Sequence, residues 1–396
     1  MGATIQGIMK AGFTAYEKLH KLPLHVRKAA HALMRCRTAE LGGHMQVCPE
    51  GHYERHWYNS CKHRMCPQCN WLQIEQWLAK QNERLVKCGH YHMIFTIPHE
   101  LNEIWLKNVR LMTNLLFTAV RDTLFEFFMD ERHIWGKPGI IATLHTWSRT
   151  LILHNHIHCL ITEGGLKNGQ WVSTKKKGYL LPVRAVMAVF RGKLLWYIDK
   201  AAEKGELKLP EGLTLQRWKN LKNKLGRVKW NVHVREKYEY GKGILIYLSR
   251  YIRGGAISNK RIVSHTGKGV TFRLRASDAS KQNIMTLQES DFIQRYLLHV
   301  PEPNMKVVRS YGLYASTAKE KLSYCRSLFG QEAVRDIESS NWQDYCEIKG
   351  NEHPELCPIC GQKLIRDLEI PPMRVYRPPA NKVELTRYRE AIQKAA

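Results

Sequence analysis

LILHNHIHCLIT, residues 151–162, is an apolar run interrupted by three histidines at every second position and closed by Gly164-Gly165. Its length and apolar content fit one buried strand bounded by a glycine stop. Successive strand side chains point to opposite faces, so His154, His156 and His158 share one face while Ile157 and Cys159 turn to the core. A lone histidine in such a place is most often a hydrogen-bonded core residue. Three on one face of an apolar strand are better read as a metal site, with His156 and His158 as ligands, because neutral imidazole is a good donor for divalent ions.

Working outward, residues 91–98 (YHMIFTIP) are β-branched and aromatic and stop at a proline, which reads as the first strand of the main domain. A long helical segment over 101–129 and a strand near 140–145 precede the histidine strand. Beyond it come a strand over 231–238, a helix over 243–253, a hairpin over 261–275 turning at Thr266-Gly267-Lys268-Gly269, and a helix over 315–328. Strands separated by helices indicate α+β or α/β, and the fold expected of the whole is α+β, a central antiparallel sheet flanked by helices with the histidine strand in its middle. Residues 1–33 read as an amphipathic helical arm, and 72–87 as a helix. The Lys-rich, weakly patterned stretch 204–230 is expected to be an exposed insertion or a DNA-facing surface. Three domains follow: 1–87, an arm with a zinc-binding DNA-recognition module; 88–330, the main domain; and 331–396, a tail that turns basic and proline-containing after Pro371.

The first module is marked by its cysteines. Cys36, Cys48, His52, Cys61, Cys66 and Cys69 crowd a region poor in regular periodicity, and Cys66-Pro-Gln-Cys69 is a CxxC knuckle. Zinc takes four thiolate or imidazole ligands and replaces the core that a short loop-rich segment cannot build. The quartet that fits best is Cys48, Cys61, Cys66 and Cys69, with His52 or Cys36 competing for a place. Lys62 and Arg64 beside these ligands point toward DNA. Cys357-Pro-Ile-Cys360-Gly361 is a second, isolated knuckle, with Cys346 and His353 as upstream ligand candidates. A redox role for Cys66 is disfavoured, because it does not follow a strand in a βαβ setting.

Tyr247-Leu248-Ser249-Arg250-Tyr251 places two tyrosines four apart, on one face of a helix, with Arg250 and Arg253 near for phosphate. Alone this is ordinary aromatic packing; beside a histidine metal strand it is a nuclease constellation. A phenol with a pKa of about 10 is a weak nucleophile at neutral pH. A metal that polarises the phosphate lowers what is asked of it.

Sixty-two Lys and Arg against 35 Asp and Glu give a formal charge of +27, which favours a polyanionic partner whose binding weakens with salt. The eleven cysteines cluster with histidines, and no signal-like or membrane-length apolar run is present, so a disulfide scaffold and a membrane span are excluded. The expected location is a reducing bacterial cytoplasm, on the nucleoid.

Taken together, CRTAELGGH, NSCKHRMCPQC, FTIPHEL, HNHIHCLIT with its Gly-Gly, YLSRY, AISNKRI and RSYGLYA resemble, in that order and over most of the chain, the rolling-circle transposases of the IS91 type. These are HUH endonucleases with paired tyrosines and an N-terminal zinc domain. The resemblance implies an enzyme that nicks and rejoins single-stranded DNA through 5′-phosphotyrosine intermediates. Tyr247 and Tyr251 would be its nucleophiles, His156 and His158 the ligands of a catalytic Mg or Mn, and zinc a structural ion. Two positions depart from the family: His52 stands where a second cysteine is common, and Arg253 where a histidine is common. The third catalytic ligand is therefore open among His154, Glu163, His92 and His145. Rival readings are a replication initiator or relaxase with the same chemistry, and a non-enzymatic zinc-dependent DNA-binding regulator.

Overall fold

The computed structural model describes residues 2–174, 178–239, 243, 245–246, 255–274, 283–336, 341–348 and 353–373. The strands are β1 (Gly43–Val47), β2 (Glu54–Tyr58), β3 (His90–Thr96), β4 (Gly139–Trp147), β5 (Leu153–Thr162), β6 (Gly164–Lys167), β7 (Gln170–Ser173), β8 (Asn231–Tyr238), β9 (Ile262–Thr266), β10 (Gly269–Arg273), β11 (Ile284–Leu287), β12 (Val308–Gly312) and β13 (Ile365–Ile370). The helices are α1 (Ile5–Leu19), α2 (Leu24–Arg35), α3 (Trp71–Arg84), α4 (Asn102–Lys107), α5 (Val109–Met129), α6 (Val183–Glu203), α7 (Leu215–Arg227), α8 (Glu289–Leu298), α9 (Lys319–Ser327) and α10 (Trp342–Ile348).

The centre is a five-stranded sheet in the order β12-β4-β5-β3-β8, antiparallel at every pairing, with the histidine strand β5 in the middle. Its register sorts the side chains. Tyr91, Met93 and Phe95 of β3, Ile140, Ala142 and Leu144 of β4, and Ile157, Cys159 and Ile161 of β5 lie in one core. Leu116, Phe117, Val120 and Leu124 of α5 and Phe190, Leu194 and Ile198 of α6 cover that face. Recurrence at i, i+4 gives each helix an apolar stripe to seat on the sheet.

The stretch 204–230 is largely exposed, and it carries a helix seated on the main core. Thr214 caps α7 by accepting from the Arg217 N–H at 3.2 Å, and the helix buries Trp218 and Leu225 in the main core, joined by Trp230. The lysines lie outside, which dilutes the apolar pattern to a few large residues; that is why the sequence looks weakly patterned.

The other face carries the even-numbered residues of β3 and β5. At its far end His90 is fully buried; its Nδ1 donates to the Cys88 carbonyl at 3.0 Å and its Nε2 accepts from the Tyr314 hydroxyl at 2.7 Å. Burial pushes its pKa from 6.5 down to about 4. A folded pKa below the unfolded one means the unfolded chain takes up the extra proton, so stability is whole above about 6.5 and falls as the pH drops toward about 4. His90→Asn should therefore remove about 2 kcal/mol of the acid-induced loss of stability between pH 7 and pH 5, read by denaturant unfolding at both values. An unchanged pH dependence would contradict the buried neutral imidazole.

Two smaller assemblies join segments far apart in the chain. α1 and α2 pack Ile8, Phe13, Val26 and Leu33 against Phe272 of β10 and Phe292, Ile293 and Tyr296 of α8. The apolar packing therefore runs across the expected boundary at residue 87. β13, from the expected tail, pairs antiparallel with β1 and completes the sheet β13-β1-β2. Gly42, at φ +66°, permits that closeness, since a Cβ there would lie 2.5 Å from the Ile370 carbonyl oxygen. Among the described residues no helix is long and apolar enough to cross a membrane.

Candidate active site and metal centres

His156 and His158 stand on β5, and β4 brings His145 directly opposite His156 in the sheet register. One ring nitrogen from each of the three lies within 4.8 Å of the others, and all three residues are buried. The supporting bonds orient the rings. His156 donates from Nδ1 to the His154 carbonyl at 2.7 Å, which leaves its Nε2 lone pair for a cation. His158 Nδ1 and His92 Nε2 share a 2.7 Å hydrogen bond, so His158 also presents Nε2. A partner on the far nitrogen is how metal-binding histidines are held and tuned. Burial pushes the pKa of His156 down to about 4 and that of His158 well below 6.5, so both are neutral donors at physiological pH.

Of the four candidates for the third ligand, the geometry gathers His145. His154 is exposed, its ring 4.8 Å from that of His156, and it falls outside the trio. His92 stands behind His158. Glu163 is engaged elsewhere, accepting from the Gly89 N–H at 3.0 Å and pairing with Lys237 at 2.5 Å. The sequence offered His145 as one candidate among four, because its place depends on the pairing of two strands.

Tyr247, Arg250, Tyr251 and Arg253 lie outside the described residues. Just before them, residues 243, 245 and 246 are helical, and Leu245 is fully buried with Ile141 of β4 and Leu160 of β5. Ile141 and Leu160 sit on the histidine face, as the register pairs them with each other and alternation aligns them with His145 and His158. The segment that leads into the tyrosines is thus anchored on the histidine side of the sheet.

The cysteines form two groups, not one. Cys36, Cys61, Cys66 and Cys69 converge, with Cys61 and Cys69 sulfurs 3.7 Å apart. A zinc ion with Zn–S bonds of about 2.3 Å sets sulfurs about 3.8 Å apart along a tetrahedron edge, so the spacing fits. Four thiols this close cannot all ionise unaided: bonds from Cys36, Cys61 and Cys66 push the Cys69 pKa down, while interaction with Cys36, then Cys66 and Cys69, pushes that of Cys61 up. A divalent cation resolves that conflict by holding all four as thiolates. Cys36 therefore takes the place that spacing assigned to Cys48. Cys48 and His52 instead meet Cys357 and Cys360, with Cys48 Sγ 3.4 Å from Cys360 Sγ and 3.9 Å from His52 Nδ1. Cys346 and His353 are not in that group. His353 Nδ1 accepts from the Glu355 N–H at 3.1 Å.

Of the two basic residues expected to face DNA, Lys62 is exposed, at the positive φ of +52°. Arg64 is half-buried and donates to the Met305 carbonyl at 3.0 Å, tying the cysteine loop to the chain before β12.

Two family models match the chain: "Transposase zinc-binding domain" over residues 8–97 and "Putative transposase" over residues 139–321. The first spans Cys36 to Cys69; the second starts with β4 and takes in all three clustered histidines. The chain is 32% identical over 382 residues to "Putative transposase y4qJ" of Sinorhizobium fredii, covering 93% of this chain and 96% of that protein. It is 29% identical over 293 residues to the "Transposase for insertion sequence element IS801" of Pseudomonas savastanoi pv. phaseolicola, covering 72% of this chain and 69% of that one. No solved structure matches it. With a zinc-binding domain holding four clustered cysteines, a histidine-bearing antiparallel sheet, and near full-length similarity to a transposase, this chain belongs to the IS91-type transposases.

Proposed function

We propose that this transposase nicks and rejoins single-stranded DNA by rolling-circle chemistry, with Tyr247 and Tyr251 as nucleophiles and His145, His156 and His158 as ligands of a divalent cation. The observation that carries the reading is the buried trio of neutral imidazoles on the face where Leu245, two residues before Tyr247, is anchored. The cation would polarise the scissile phosphate and offset the charge that builds on the transferred group. The tyrosine Oη bonds to phosphorus, the bond from phosphorus to the 3′ oxygen breaks, and the phenolic proton is lost as the departing 3′ oxygen gains one. One phosphoester is exchanged for another, so the linkage energy is kept in a 5′-phosphotyrosine and a 3′-hydroxyl can reverse the step. Two tyrosines allow two strand ends to be held in turn. Three nitrogen donors favour Mn over Mg, which prefers oxygen ligands.

The test is a denaturing-gel assay for a covalent protein–DNA adduct, using single-stranded DNA containing the element ends with Mg or Mn. The wild-type chain should give an adduct that maps by mass spectrometry to Tyr247 or Tyr251. Tyr247→Phe combined with Tyr251→Phe should abolish it while DNA binding is retained. An adduct persisting in the double variant would overturn the assignment of the nucleophiles.

A further inference from the structure

The knuckle at residues 357–361 lies 312 positions from its partner in the first module, measured from Cys48 to Cys360, yet the two meet sulfur to sulfur. Both are closed by a bond across five residues, from the Cys48 N–H to the Tyr53 carbonyl at 2.8 Å and from the Cys357 N–H to the Gln362 carbonyl at 2.7 Å, around turns of different length. Cys48-Pro-Glu-Gly51-His52 turns through a 2.9 Å bond from the Gly51 N–H to the Cys48 carbonyl, with Gly51 at φ +72°. Cys357-Pro-Ile-Cys360-Gly361 turns through a 2.9 Å bond from the Gly361 N–H to the Cys357 carbonyl, with Gly361 at φ +74°. Each turn offers two donors to the same point, and together they supply three sulfurs and one imidazole, a complete tetrahedral set for zinc.

The surroundings need such an ion. Among the described residues the apolar cluster here has three buried members, Cys48, Cys357 and Leu364, with Tyr53 against it. So small an apolar core contributes little burial to hold the two turns together, and a shared ion would supply what it lacks. Other contacts converge on the same seam: β13 pairs with β1, Trp342 stacks on Trp57 at 5.1 Å, the Arg55 guanidinium donates to the Pro354 carbonyl, and Gln362 donates to Glu50 at 3.3 Å. All of them bring the C-terminal segment to the β1–β2 hairpin.

We infer that Cys48, His52, Cys357 and Cys360 bind a second zinc ion, which staples the C-terminal segment to the N-terminal hairpin and makes the sheet β13-β1-β2 conditional on metal and on both ends of the chain. The two sites differ in access. Cys36, Cys66 and Cys69 are buried in the core shared by α1, α2 and α8, whereas His52 and Cys360 are exposed. A chelator therefore reaches the staple first, and the recognition module can be opened without dismantling the four-cysteine site.

The experiment uses the full-length zinc-loaded protein. Elemental analysis should give two zinc ions per chain. Cys357→Ser combined with Cys360→Ser should leave one, and so should Cys48→Ser combined with His52→Ala. Hydrogen exchange should show the amides of residues 365–370 protected in the wild type, and unprotected in both variants and after mild chelation. Unchanged zinc content in these variants, or loss of zinc with 365–370 still protected, would overturn the staple. Should the variants fail to fold, cadmium-113 resonance on the wild-type chain decides: two signals, one of four-sulfur and one of three-sulfur, one-nitrogen character, are expected, and a single four-sulfur signal refutes the site.

Discussion

His156→Ala combined with His158→Ala should slow formation of the protein–DNA adduct by about 10²–10³-fold or more, with the fold and DNA binding intact. Removing a single preformed electrostatic stabiliser of a developing oxyanion costs about this much in other enzymes, and here the ion itself would be lost. The fold should survive because β5 is held through its opposite face, where Ile157, Cys159 and Ile161 are fully buried between helices and sheet. Single-turnover cleavage and circular dichroism on the same preparation separate the two effects. His145→Ala should show the same loss of cleavage. His92→Ala, which removes the bond to His158 Nδ1, should instead weaken metal affinity by about 10–100-fold and be rescued by added Mn. Normal nicking in the double variant would sink the metal assignment.

The second large effect concerns folding. Cys66→Ser combined with Cys69→Ser should abolish accumulation of soluble, zinc-loaded protein. A structural zinc site contributes about 10–16 kcal/mol of apparent binding free energy, comparable to or above the 5–15 kcal/mol net stability of a typical domain. The ligands also sit within apolar packing: Cys36, Cys66 and Cys69 share a core with α1, α2 and α8, and the Tyr296 hydroxyl donates to the Met65 carbonyl at 2.6 Å. Loss of the ion therefore leaves buried polar groups unmatched where α1 and α2 meet α8. Zinc content, soluble yield and thermal unfolding measure it. A double variant that melts like the wild type would show that the four cysteines pack as ordinary apolar residues. The staple variants, by contrast, should lose β13 and keep this core.

The elements that sequence made legible were those whose signal is local. Alternation over 154–159 told which side chains of β5 face the core, and both Ile157 and Cys159 lie there. The Pro98 stop, the Gly164-Gly165 closure and the turn at residues 266–269 marked ends of β3, β5 and the β9–β10 hairpin, since proline and glycine act on their own backbone. Where a helix drew its packing from a few large residues among many lysines, as Trp218 and Leu225 do in α7, composition obscured it.

By itself, then, the sequence picked out the candidates for the chemistry: the histidines of β5, the seven cysteines and one histidine at 36–69 and 357–360 that enter the two clusters, and a tyrosine pair that lies outside the described residues. The tertiary structure decided how they are grouped. His145 became the third member of the trio through the register of β4 against β5, Cys36 replaced Cys48 in the four-cysteine cluster, and Cys48 and His52 found their partners at the far end of the chain. The reason is physical. Periodicity and turn chemistry fix the direction of a side chain relative to its own backbone, over a few residues. Which side chain comes to face it is set by strand register and loop closure, and those are settled by the packing of the whole core.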